Sequence, residues 1–188
     1  MRAGIFVGGQ STRMGGKPKG LLHAPGTQTP LVVRLASIAR SVGLEPVFVG
    51  KTDAAYRSLL PDLRTIDDAP GIEGPLAGLA ALLQDAGDAR VIALACDLPF
   101  VEARLLERLA SESSDASVLA PRATPSAPWE PLFARYDATK VRPVLQRALI
   151  EGVRSFQALF ARLDVIQLAL SDDERPQLRD WDSPDDLA

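Results

Sequence analysis

Histidine and cysteine are almost missing from this chain of 188 residues, where His23 and Cys96 are the only ones. Their scarcity excludes an internal disulfide, a zinc site of imidazole and thiolate, and a Cys–His or Ser–His nucleophilic pair of the usual kind. No apolar run approaches the roughly 20 residues needed to cross a bilayer. Positive charge is not in excess either. With a formal net charge of −3 and a pI near 5.2, no basic face remains for nucleic acid once the first loop is set aside. The N-terminus enters an apolar strand pattern within a few residues, without a long hydrophobic leader, so a cytoplasmic location is the expectation. Chemistry in this chain must rely on carboxylates, cations and a hard metal.

What is present is ordinary for a soluble globular domain: 46% hydrophobic and 24% charged residues. The length suits one domain over residues 1–188. Apolar periodicity alternates between strand and helix along the chain. Strands are expected over residues 2–7, 46–49, 63–66, 91–96, 116–120 and 165–170. Helices are expected from Leu31 to Val42 with Pro30 in the first turn and Gly43 as the stop, and over 54–60, from Pro75 onward, through Leu105, Leu106 and Leu109, and over 139–151 and 155–162. The alternation predicts an α/β fold in three layers, a mostly parallel central sheet covered by helices on both faces. The prolines between 121 and 131 break regular structure, and the extended stretch 129–136 reads as an insertion over the sheet edge.

The most informative stretch follows the first strand. From Gly8 to Gly20 the chain carries repeated glycines, the hydroxyls of Ser11 and Thr12, and the cations Arg13, Lys17 and Lys19, with no acid. Glycines let main-chain N–H groups converge on an anion, and the cations add fixed charge, so polyphosphate is the natural guest. A Walker A loop does not fit, because Gly16-Lys17 is followed by Pro18 and Ser11 stands where the first glycine belongs. The G-x-G-x-x-G dinucleotide fingerprint is absent as well.

Two further stretches carry chemistry. Gly74-Pro75-Leu76-Ala77-Gly78-Leu79 clusters small residues at a helix start, leaving free N–H groups and room for a flat ring. Asp97 ends the apolar run 91–96, which reads as the central strand. Ligands of open α/β sheets sit beyond the carboxyl ends of strands, so Asp97 is the expected metal-binding carboxylate, with capping of the following helix as the alternative.

The first loop resembles the G-G-x-S-x-R-M-G-x-x-K signature of nucleotidyltransferases through Gly8, Gly9, Ser11, Arg13, Met14, Gly15 and Lys19. Together with 74–79, Cys96-Asp97-Leu98-Pro99 and Glu130-Pro131-Leu132-Phe133-Ala134-Arg135-Tyr136, it makes nearly the whole chain similar to the molybdenum-cofactor guanylyltransferase family. The resemblance implies a Rossmann-like nucleotidyltransferase fold, GTP and molybdopterin as substrates, Mg²⁺ as the metal, and transient contact with molybdoenzymes or their chaperones. It further implies that Arg13 and Lys19 hold the triphosphate and that Asp97 holds Mg²⁺. Val7, Gly8, Gly9 and Ser11 would meet the nucleotide, Gly78 would lie near the base, and Asp67, or else Asp68, would read guanine. In two places the chain departs from the family pattern: Val7 replaces the usual alanine, and the tail reads Asp180-Trp181-Asp182-Ser183-Pro184 instead of N-x-N-T-P. Carboxylates in that tail are familiar from the related cytidylyltransferases, so the base and the acceptor stay open to a related cytidylyltransferase or a sugar- or cofactor-phosphate nucleotidyltransferase. A non-catalytic nucleotide-binding partner in cofactor delivery is the reading from a different class.

Overall fold

The computed structural model describes residues 1–8, 18–52 and 54–181. Its strands are β1 (Arg2–Phe6), β2 (Glu45–Val49), β3 (Thr65–Ile66), β4 (Arg90–Ala95), β5 (Val118–Ala120), β6 (Phe133–Asp137) and β7 (Val165–Gln167). The helices are α1 (Leu31–Ser41), α2 (Ala54–Leu59), α3 (Leu76–Ala86), α4 (Ala103–Ser111), α5 (Ala138–Ile150) and α6 (Phe156–Phe160). The strands form one sheet in the order β3-β2-β1-β4-β6-β5-β7, in which only β6 runs antiparallel to its neighbours.

Alternation along the strands divides the core into two layers. Ile5, Phe48, Ile92 and Leu94 pack in one cluster with Val32 and Leu35 of α1 and Leu105 and Leu109 of α4. Val47, Val49, Val91 and Ala93 pack in the other with Leu79 and Leu83 of α3 and Val141 and Leu145 of α5. The expected three layers are therefore present. Gly4 lets α3 pack closely on the sheet, since a Cβ there would lie 2.6 Å from Leu82 Cδ2.

The end of α1 follows from its sequence. Gly43 takes φ +74°, its N–H donates to Arg40 O at 3.0 Å, and Leu44 N–H reaches back to Ala39 O at 2.9 Å. These two bonds are a Schellman termination, which a glycine in the left-handed region makes cheap. Pro30 caps this helix from outside, with ψ 143°, and is not part of its first turn as expected.

The 129–136 stretch departs from the expectation of an edge insertion. β6 lies inside the sheet, pairing Arg90–Leu94 of β4 on one side and Val118–Leu119 of β5 on the other. Its residues Phe133, Ala134, Arg135 and Tyr136 are all buried, as an interior strand requires. The buried cation is accommodated because Arg135 Nη1 donates to Leu109 O at 3.0 Å and Ala110 O at 2.9 Å, near the end of α4. Among the described residues no helix is long and apolar enough to cross a membrane.

Candidate active site

The chain runs from β1 outward to β2 and β3, then returns to lay β4 on the other side of β1. That reversal opens a crevice beyond the carboxyl ends of β1 and β4, the usual ligand position in such sheets. A cavity of about 820 Å³ occupies it. Its wall includes Val7 and Gly8 after β1, Gly50 and Lys51 after β2, and Cys96 and Asp97 after β4. Gly74, Pro75 and Gly78 at the start of α3 also line it.

Lys19 and Asp97 meet in this cavity. Lys19, in a 3-10 turn over Lys19–Leu21, donates from Nζ to Asp97 Oδ2 at 2.8 Å. The two side chains are only 21% and 15% exposed, so the pair is screened less than a surface one. Asp97 does not cap α4: the cap position belongs to Glu102, whose own side chain makes no capping bond and whose N–H donates to Gln177 Oε1 at 3.1 Å. Burial first, and then the adjacent Asp97 carboxylate, push the Cys96 thiol up to about 12. Cys96 therefore stays protonated and is no nucleophile.

The opposite wall is shaped by backbone approach. Gly50, at φ +94°, lies so close to the end of β1 that a Cβ would come within 3.3 Å of Gly8 N and Cα. A Cβ on Gly78 would meet Phe6 Cε1 at 2.9 Å and Asp68 Oδ1 at 3.2 Å. Asp68 thus presents a carboxylate oxygen beside both glycines. Asp67, expected to read the base, is exposed like Asp68 but is not part of the wall, because successive residues leaving a strand point to opposite sides. Pro75 precedes α3 with no side-chain cap, and Ala77 N–H donates to Gly74 O at 3.1 Å, so the other N–H groups of the first turn are the ones a ligand could engage.

Of the other expected site residues, Val7, Gly8 and Gly78 line the cavity with Lys19 and Asp97. Gly9, Ser11 and Arg13 lie outside the described residues, as does Asp182 of the tail. Asp180 is described, and the tail reaches the site through its neighbour: Trp181 N–H donates to Asp97 O at 3.3 Å. The Trp181 ring is buried with Ala24 and Leu31 and meets Phe100 edge-on at 6.2 Å. Burial, then the charge of Asp180, raise the carboxyl pKa of Glu130. Sequence reasoning missed Lys51, Tyr56 and Leu132 as wall residues. Lys51 could have been found, since it follows a strand's carboxyl end; Tyr56 carries no such signal.

The cavity therefore combines a cation, a carboxylate, a helix N-terminus and tight backbone contacts at a sheet crossover, a combination suited to a nucleoside triphosphate. Residues 3–166 match the family described as the MobA-like NTP transferase domain. The chain belongs to that family. It is 34% identical over 188 residues to a molybdenum cofactor guanylyltransferase of Pseudomonas putida, covering 97% of this chain and 93% of the relative. A Pseudomonas fluorescens protein of the same name is 30% identical, with 96% and 88% covered. Among solved structures, the fold is similar to molybdopterin-guanine dinucleotide biosynthesis protein A from Archaeoglobus fulgidus. The TM-score is 0.78 at 25% identity, over 100% of this chain and 95% of the other. This member of the MobA-like family is accordingly a nucleotidyltransferase.

Proposed function

We propose that this chain transfers GMP from GTP to a molybdopterin-type cofactor and releases pyrophosphate, acting in the cytoplasm. The observation that carries the reading is the Lys19–Asp97 pair in the cavity at the crossover between β1 and β4. A phosphate oxygen of the acceptor attacks the α-phosphorus as the bond to the departing pyrophosphate breaks. That oxygen is already ionised at neutral pH, so the near-absence of histidine costs nothing. What the reaction demands is neutralisation of crowded phosphates.

Lys19 supplies one such charge, and Arg13, by family resemblance, a second. Asp97 fits Mg²⁺. Among the described residues no group of three or more His, Cys, Asp or Glu side chains could enclose an ion alone, and Mg²⁺ is commonly held by one or two carboxylates plus substrate phosphates. When bound, the ion adds positive charge at the reacting phosphates. Before substrate arrives, Lys19 and Asp97 satisfy each other, which keeps both oriented toward the cavity. Asp68 would accept from N1–H and the exocyclic amine of guanine, two donors that a carboxylate can engage together.

The test is pyrophosphate release with molybdopterin, Mg²⁺ and each of GTP, CTP, ATP and UTP. GTP is the expected substrate, and Asp97→Asn or Lys19→Ala should each cost roughly 10²–10³ in turnover. The tail carboxylate Asp180, held near Asp97 through Trp181, favours cytidylyl transfer as the second reading; a preference for CTP would establish it. Binding of GTP without pyrophosphate release would instead mark a delivery partner. Transient contact with the molybdoenzymes or chaperones that take up the product follows if the reading holds.

A further inference from the structure

Tyr56 is a buried side chain that also lines the cavity, and the chemistry described so far leaves it without a task. It sits on α2. Its ring packs against Phe48 with centroids 5.8 Å apart. Its hydroxyl oxygen accepts a hydrogen bond from the buried N–H of Gly20 at 3.2 Å. Gly20 follows Lys19 directly, and the fit there is tight. A Cβ on Gly20 would come within 2.9 Å of Tyr56 Cε1, 3.0 Å of the hydroxyl and 3.3 Å of Cys96 Cβ. The backbone at the root of Lys19 is thus clamped between an aromatic ring on one wall and the end of β4 on the other.

We propose that Tyr56 is a positioning residue for Lys19: its hydroxyl and ring fix Gly20, and thereby hold the Lys19 ammonium at the phosphate site beside Asp97. A long lysine stem gains nothing from local propensity at the end of a glycine-rich loop. Asp97 engages its ammonium, but that contact is given up to the incoming phosphates, and a backbone free to move at Gly20 would add an ordering cost to binding. The Gly20 N–H is a buried donor, so losing its acceptor leaves it unpaired and frees the segment to move. The proposal rests on the reading of Lys19 as a triphosphate-holding cation. It does not depend on which base or acceptor the enzyme uses.

The test uses Mg²⁺-tripolyphosphate, a probe without a base, titrated calorimetrically into the full chain and its Tyr56→Phe, Lys19→Ala and doubly substituted forms. Tyr56→Phe keeps the ring and should weaken binding about tenfold, the scale of one buried hydrogen bond left unmade. In the Lys19→Ala background the same change should alter affinity less than twofold, because the group being positioned is gone. Gly20→Ala retains the hydroxyl but crowds the ring, and should give the same background-dependent loss. An equal effect of Tyr56→Phe in both backgrounds would reduce Tyr56 to a packing role and overturn the proposal. So would no effect in either, or a wild type that binds tripolyphosphate no better than Lys19→Ala. A protein that bound the probe as expected yet turned over CTP would lose the guanylyl assignment and keep this one.

Discussion

Gly78 shows how much of this site depends on side chains that are missing. A methyl group there would press on Phe6 at 2.9 Å, Val49 at 3.1 Å and Asp68 at 3.2 Å, and two of these contacts are with packed apolar side chains. Gly78→Ala should therefore destabilise the fold by about 1–3 kcal/mol, the usual range for overpacking. It should also weaken nucleotide binding, because Asp68 must shift; thermal melts with and without GTP would separate the two effects. At this scale the sequence was legible where chemistry is carried by a side chain of distinctive type. Lys19 and Asp97 stand out as a cation in a glycine-rich loop and an acid after an apolar run. The choice between Asp67 and Asp68 was not legible, since it depends on which way the chain turns as it leaves β3.

For the elements, the parallel half of the sheet reads directly from alternation, whereas β6 does not. Four prolines between 121 and 131 resemble an excursion across an edge, and only long-range pairing reveals that the chain returns between β4 and β5. Arg135 is part of the reason the return is stable, binding β6 to the end of α4. Arg135→Met would leave the Leu109 and Ala110 carbonyls without their charged donor and should cost about 2 kcal/mol. Urea unfolding measures that loss. Because the residue does not line the cavity and bonds to the end of α4, turnover at low temperature should stay within about twofold of wild type, as for a substitution away from the reacting groups.

For the whole molecule, surface ion pairs link distant parts of the chain and set its response to acid. Hydrogen bonds from Arg64 hold Asp85 below its ordinary range, and those from Arg108 do the same for Glu174. Both carboxylates bind protons less readily folded than unfolded. Their contribution is fully present above the unfolded carboxylate range, near pH 4–4.5, and is lost as pH falls through the lowered folded values. Glu130, whose pKa is raised, opposes this trend, since its ionisation is disfavoured in the fold. The net expectation is a melting temperature that drops steeply below pH 4, with a shallower drop in Glu174→Gln; melts from pH 6 to pH 3 give the comparison.

The position of β6 has a consequence for how the chain is made. A polypeptide leaving the ribosome in order delivers β1 to β4 and then β5, but β5 has no strand beside it until residues 133–137 emerge. Throughout that interval the flank of β4 carries bare amides and carbonyls. Vectorial synthesis thus leaves this sheet half-zipped, and one late antiparallel strand joins its two parts.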